Sequence, residues 1–94
     1  MSVDLIAQYE EHLVLVRNLS DNSIRGYVSD LNSLLEHINK LGVRDFKDLE
    51  LKDIRSWLAY LQSNGASRST LARRIVSIRA FTYWAASQKW IASD

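Results

Sequence analysis

Apolar residues return every three or four positions along most of this chain, and the breaks between these runs divide it into four helical segments. The first is predicted from about Asp4 to Arg17, with Ile6, Tyr9, Leu13 and Val16 on one face. The second has the clearest start. Ser20 can accept from the free amides of a first turn, and Leu19 and Ile24 flank it at the spacing of a hydrophobic staple. Ile24, Tyr27, Val28, Leu31, Leu34, Leu35 and Ile38 then form a continuous stripe, and Gly42 suits the left-handed residue that closes a helix. Residues 43–49 read as a connector. A third helix is predicted from about Leu51 to Ser63, with Leu51, Ile54, Leu58 and Leu61 inward and Glu50 at the cap position. Asn64-Gly65 ends it. The fourth starts at a Ser67 cap and runs to about Ser87, with Leu71, Ile75, Ile78, Thr82 and Ala85 inward. Short turns make consecutive helices pack against each other, so the expected fold is all-α, a compact orthogonal four-helix domain.

Composition agrees with a single small domain. The chain has 94 residues, of which 47% are hydrophobic. It contains no proline to interrupt a helix and no cysteine, which removes disulfide frameworks and thiolate metal sites. No apolar run is long enough to span a membrane, and Met1-Ser2-Val3-Asp4 does not open a signal peptide. Charge changes the picture. The formal net charge is only +1, but residues 1–50 carry five Lys/Arg against nine Asp/Glu, and residues 51–94 carry seven against two. Between Gly65 and Trp90 there are five basic residues and no acid. Such asymmetry points to an anionic partner on one side of the molecule, or to a solvated basic helix.

The outer faces must then carry function. With residues placed at steps of about 100°, the sector of helix four opposite Leu71 holds Ser69, Thr70, Arg73, Ser77 and Ala80, flanked by Arg68, Arg74 and Arg79. The row is slim and polar. A helix enters a DNA major groove only if its leading face is narrow, and arginine can fork onto guanine or clasp a phosphate. Helix two repeats the design in its first half with Asn22, Gly26, Ser29 and Ser33, edged by Ser23 and Arg25. A helix-interior glycine costs about 1 kcal/mol relative to alanine, which is explicable if a ligand approaches closely at Gly26; the alternatives are that Gly26 packs against a neighbouring helix or is simply tolerated. On this phasing Arg73 is an exposed reader whose removal leaves the fold intact.

Other chemistry-bearing residues read as structural. Trp57, Tyr60, Phe81, Tyr83, Trp84 and Trp90 lie at helical spacing, which suits core or interdomain packing better than base stacking. His12 and His37 stand on different helices without a ligand cluster, as surface histidines, so no metal site and no cofactor are expected. The carboxylates Glu10, Glu11, Asp30, Glu36, Asp45 and Asp48 read as exposed and unpaired for acid–base work.

Three segments in order resemble the core-binding domain of Xer-type tyrosine recombinases and phage integrases. They are LSDNSIRGYVSDL (residues 19–31), DIRSWLAYL (residues 53–61) and GASRSTLARRIVSIRAF (residues 65–81). The match covers nearly the whole chain and is nearest to the XerC branch. The resemblance implies a SAM-like integrase N-terminal fold in residues 1–88. Residues 89–94 would begin a linker to a catalytic domain. It also implies a recombinase that closes like a C-clamp on double-stranded DNA, with helices two and four entering the groove. Carried over by position, the family's contacts fall on Ser23, Arg25, Gly26, Ser29, Ser69, Thr70, Arg73 and Ser77. The outer rows add Asn22, Arg68 and Arg74. The family's helix one packs against neighbouring protomers of a synaptic tetramer.

The family's nucleophilic tyrosine and its Arg/Lys/His activators belong to the following domain, and Tyr9, Tyr27, Tyr60 and Tyr83 match none of those motifs. The resemblance thus implies a cytoplasmic parent enzyme that cuts and rejoins DNA in chromosome dimer resolution. These residues would be its non-catalytic grip, with no small-molecule ligand and no membrane partner. A helical protein-interaction module and a helix-turn-helix regulator are the competing readings, and salt-dependent duplex binding separates the first of them from a DNA clamp.

Overall fold

The computed structural model describes residues 2–42 and 46–89, and their side chains from Leu5 onward. Helix α1 spans Ser2–Leu15, α2 Asp21–Lys40, α3 Leu51–Ser63 and α4 Arg68–Ser87, with a 3₁₀ turn at Phe46–Asp48 between α2 and α3. The domain is all-α, as the periodicity predicted, and no strand occurs among the described residues. No helix there is long and apolar enough to cross a membrane.

The helix starts follow from local chemistry. Ser20 Oγ accepts from the Ser23 amide at 3.2 Å, and Ser67 Oγ accepts from the Thr70 amide at 3.1 Å. Each cap satisfies an amide that the first turn leaves without a partner. At α3 the cap residue is Glu50, and help comes from the other direction. The carboxylate of Asp53, which is buried, accepts from the Glu50 amide at 2.9 Å. Gly42 closes α2 at φ 90°, a conformation glycine adopts without steric cost. Helix α1 stops at Leu15, two residues earlier than predicted. Asn18 turns the chain at φ 51°, and the Leu19 amide reaches back to the Leu13 carbonyl at 3.2 Å. Val16, expected inward, lies beyond the helix and is 70% exposed.

Helix α2 is the central element, packed against each of the other three. Its stripe of Ile24, Leu31, Leu34 and Ile38 is buried. Leu5, Ile6, Tyr9 and Leu13 from α1 join the same core as Trp57 from α3 and Phe81, Trp84 and Ala85 from α4. Phe46 closes it from the 3₁₀ turn, its ring 4.9 Å from that of Phe81. Tyr9 meets Phe81 edge-on at 5.3 Å, a geometry that adds about 0.5–1.5 kcal/mol to simple burial. Of the aromatics assigned to packing, Trp57, Phe81 and Trp84 are buried, whereas Tyr60 and Tyr83 face solvent. Trp90 and the expected linker, apart from Lys89, lie outside the described residues.

Two helices are phased differently from the prediction. In α3 the deeply buried residue is Trp57, while Leu51 is exposed and Ile54, Leu58 and Leu61 are only partly covered. In α4 the buried set is Ser77, Ile78, Phe81, Thr82, Trp84 and Ala85, and Ile75 and Val76 face outward. The inward face is therefore turned by roughly 70° from the one that the apolar residues alone selected. Phe81 and Trp84, two of the largest side chains in α4, dictate that rotation, since each removes more apolar surface from water than Leu71 or Ile75 would.

Candidate nucleic-acid interface

The rotation of α4 reassigns its polar residues. Ser77, predicted to face a duplex, is 2% exposed, and its hydroxyl has no hydrogen-bond partner among the described residues. It fills space against the core. Arg74 also turns inward. Its Nη1 donates to Ser33 Oγ at 3.1 Å, and its guanidinium lies 5.8 Å from the centroid of the Trp57 ring. Ser33 was expected in the outer row of α2. It is instead half-buried and accepts from both Arg74 and the Trp57 indole N–H, the latter at 3.0 Å.

The largest departure is Asp30. Placed by sequence among exposed carboxylates, it has no accessible surface. Its Oδ2 accepts from Arg73 Nη1 at 2.7 Å and its Oδ1 from Arg73 Nη2 at 3.0 Å, a two-pronged pair between α2 and α4. Arg74 Nε stands 3.3 Å from the same Oδ1, close enough to pair by charge though not aligned as a hydrogen bond. A buried carboxylate is tolerated only when paired and hydrogen-bonded, and two arginines supply both needs. The signal lay in the sequence as one acid within the apolar stripe of α2 and an Arg-Arg pair on a neighbouring helix. Periodicity alone could not join them across 43 positions.

What remains outside is coherent. Asn22, Ser23, Arg25 and Ser29 are exposed along the first half of α2, and Arg68 and Ser69 are exposed at the start of α4, with Thr70 half-covered beside them. The two rows meet at Gly26 and Arg73. A Cβ built on Gly26 would touch only Arg73 Nη1, at 3.9 Å, an ordinary contact. Helix packing therefore does not require glycine at this position. Arg73 is half-exposed at 52% of its side chain, and both terminal nitrogens of its guanidinium are held by Asp30. Arg79 is exposed further along α4. The surface is thus a slim polar patch from two helices, with Arg25, Arg68 and Arg73 as its cations and the capped N-terminus of α4 at one end. Such a surface suits phosphates and base edges. His12 and His37 are structural: His12 stacks on Tyr9, and His37 Nε2 lies 2.9 Å from Ser56 Oγ.

An all-α domain of this size with this face belongs to a known class. Residues 6–89 match the family described as phage integrase, N-terminal SAM-like domain, and the chain belongs to that family. Among curated proteins it is similar to tyrosine recombinase XerC of Mycobacterium leprae, 42% identical over 90 residues that make up 96% of this chain and 30% of that protein. Tyrosine recombinase XerC of Mycobacterium tuberculosis is 37% identical over 90 residues, again 96% of this chain and 30% of the relative. The same enzyme of Corynebacterium efficiens is 35% identical over 92 residues, 98% of this chain and 28% of the relative. The chain thus spans less than a third of the length of these relatives. No solved structure matches it significantly.

Proposed function

We propose that these 94 residues are the DNA-gripping domain of a tyrosine recombinase of the XerC type, holding double-stranded DNA while strand cutting and rejoining are performed elsewhere in the parent protein. One observation carries the reading. The slim faces of α2 and α4 converge at Gly26 and Arg73, and the fold leaves room for a side chain where the sequence places none. Similarity to the XerC proteins supports the recombinase role. The contact set is Asn22, Ser23, Arg25, Gly26, Ser29, Arg68, Ser69, Thr70 and Arg73. Ser77 and Arg74 leave the set because their polar groups are committed to the interior. In the parent protein, neighbouring protomers of a recombining tetramer would pack against α1. Val14, Leu15 and Val16, exposed and apolar at its end, support that surface. Chromosome dimer resolution in the cytoplasm is the cellular role this reading implies.

The test is duplex binding as a function of salt. Arg25, Arg68 and Arg73 together can neutralise about three phosphates, so log K should fall against log salt with a slope of about −3, at about 0.9 counterion released per phosphate. Arg25→Ala and Arg68→Ala should each reduce the slope by about one. Arg17→Ala, two residues past the end of α1 and outside both rows, should leave it unchanged. A flat salt dependence would favour a protein-interaction module instead.

A further inference from the structure

We infer that Asp30, buried and out of reach of any ligand, is the positioning residue that sets Arg73 to read a base edge, an inference that rests on the DNA-gripping role proposed above. Arg73 is held end-on. Both terminal nitrogens engage the two oxygens of Asp30, at 2.7 and 3.0 Å. A guanidinium carries five N–H donors in a rigid plane. End-on pairing leaves the side-on edge, made of Nε–H and the second Nη2–H, without a hydrogen-bond partner among the described residues. That edge is the pair of parallel donors that matches O6 and N7 of guanine in the major groove.

Three further observations fix the arrangement. Asp30 has no accessible surface, so water does not compete for it. It is anchored in turn by Arg74, which is pinned by Ser33 and lies over Trp57. Finally, position 26 is glycine, so no side chain stands against Arg73 Nη1, the nitrogen that holds Asp30 Oδ2. An unanchored arginine must freeze several rotors when it binds, whereas this one is already held, so a base that fits its free edge gains more than a phosphate does.

The arrangement separates specificity from affinity. Asp30 offsets the attraction of one positive charge for phosphate, yet it aims the arginine. Asp30→Asn keeps the shape and removes the charge. The chain would be presented with a pool of randomised short duplexes, the bound fraction sequenced, and affinity for one fixed unrelated duplex measured alongside. Wild type should enrich a guanine at one position. Arg73→Ala should lose that enrichment. Asp30→Asn should reduce it about tenfold while affinity for the unrelated duplex stays level or rises. In the Arg73→Ala background, Asp30→Asn should change the base preference no further.

A role for Asp30 in stability alone would lower both kinds of binding together, in proportion to the unfolded fraction seen by circular dichroism, and that result would overturn the inference. So would full retention of the guanine preference in Asp30→Asn. If Asp30→Asn does not fold, Arg73→Lys carries the test. It keeps the charge but cannot hold Asp30 and a guanine through two pairs of parallel bonds, so the same loss of preference is expected, and its retention would refute the idea. Salt-dependent binding without any base preference in wild type would sink this inference and leave the gripping role standing. Absence of duplex binding would sink the gripping role itself.

Discussion

Replacing Arg73 with alanine measures directly what the packing of α2 on α4 is worth. Were Arg73 a solvated arginine, its loss would change stability by no more than roughly 0.5 kcal/mol. The structure gives it two charge-assisted bonds to a carboxylate with no accessible surface. Bonds to charged groups contribute about 1.5–3 kcal/mol each when well buried. Two features reduce the total here. The arginine side chain is 52% exposed, so water screens its side of the pair. Arg74 also remains 3.3 Å from Oδ1 and keeps Asp30 from being left wholly uncompensated. A loss of about 1–3 kcal/mol follows. For a domain of this length each kcal/mol shifts Tm by about 4–8 °C, so thermal unfolding followed by circular dichroism should show a drop of roughly 5–20 °C. Urea titration should give the same free energy with an unchanged slope, because the surface exposed on unfolding barely alters. Arg73→Lys, able to make only one of the two bonds, should fall between. A Tm within about 2 °C of wild type for Arg73→Ala would refute the reasoning and return Arg73 to the solvated surface.

Gly26→Ala should stabilise the fold by up to about 1 kcal/mol, since the site accepts a Cβ and helix propensity favours alanine, yet weaken duplex binding; paired denaturation and binding curves check both halves. Ser77→Ala should leave DNA affinity unchanged and stability level or improved, because the hydroxyl is buried without a partner among the described residues; a loss of affinity in a gel-shift titration would reject its reassignment to the interior. Tyr9 gives a pH signature. Burial, then its neighbour Tyr27, push its phenol up to about 12 from the usual 10.0, against an opposing pull from Arg17. The folded state thus favours the neutral phenol, so this contribution is complete below pH 10 and is lost as pH rises toward 12. Tyr9→Phe should hold its stability better across that alkaline window, measured by denaturant midpoints at successive pH values.

The sequence by itself determined the helices. Ser20, Ser67 and Gly42 act within one turn of themselves, and a cap or a left-handed closing residue works the same way whatever lies beyond, so α2 begins and ends, and α4 begins, where the pattern placed them. The stripe of α2 was equally legible, because a central helix buries its apolar residues against every neighbour. The polar row at Asn22, Arg25 and Ser29 followed as its complement. Tertiary structure decided the rotation of α4 and, with it, the fate of Ser33, Asp30, Arg73, Arg74 and Ser77. The periodicity rule seeks apolar side chains, but the inward face of α4 includes Ser77, and Arg74 beside it points into the fold, while Ile75 and Val76 are left outside. That choice is made by Phe81 and Trp84 finding Tyr9 and Phe46, and by Asp30 finding Arg73 and Arg74 across the α2–α4 contact. The apolar stripe beside Asp30 points to burial, but nothing near it along the chain supplies the cations that burial requires. Burial of a carboxylate is stable only once its cations arrive, and their arrival is a property of the packed molecule, not of any local stretch of it.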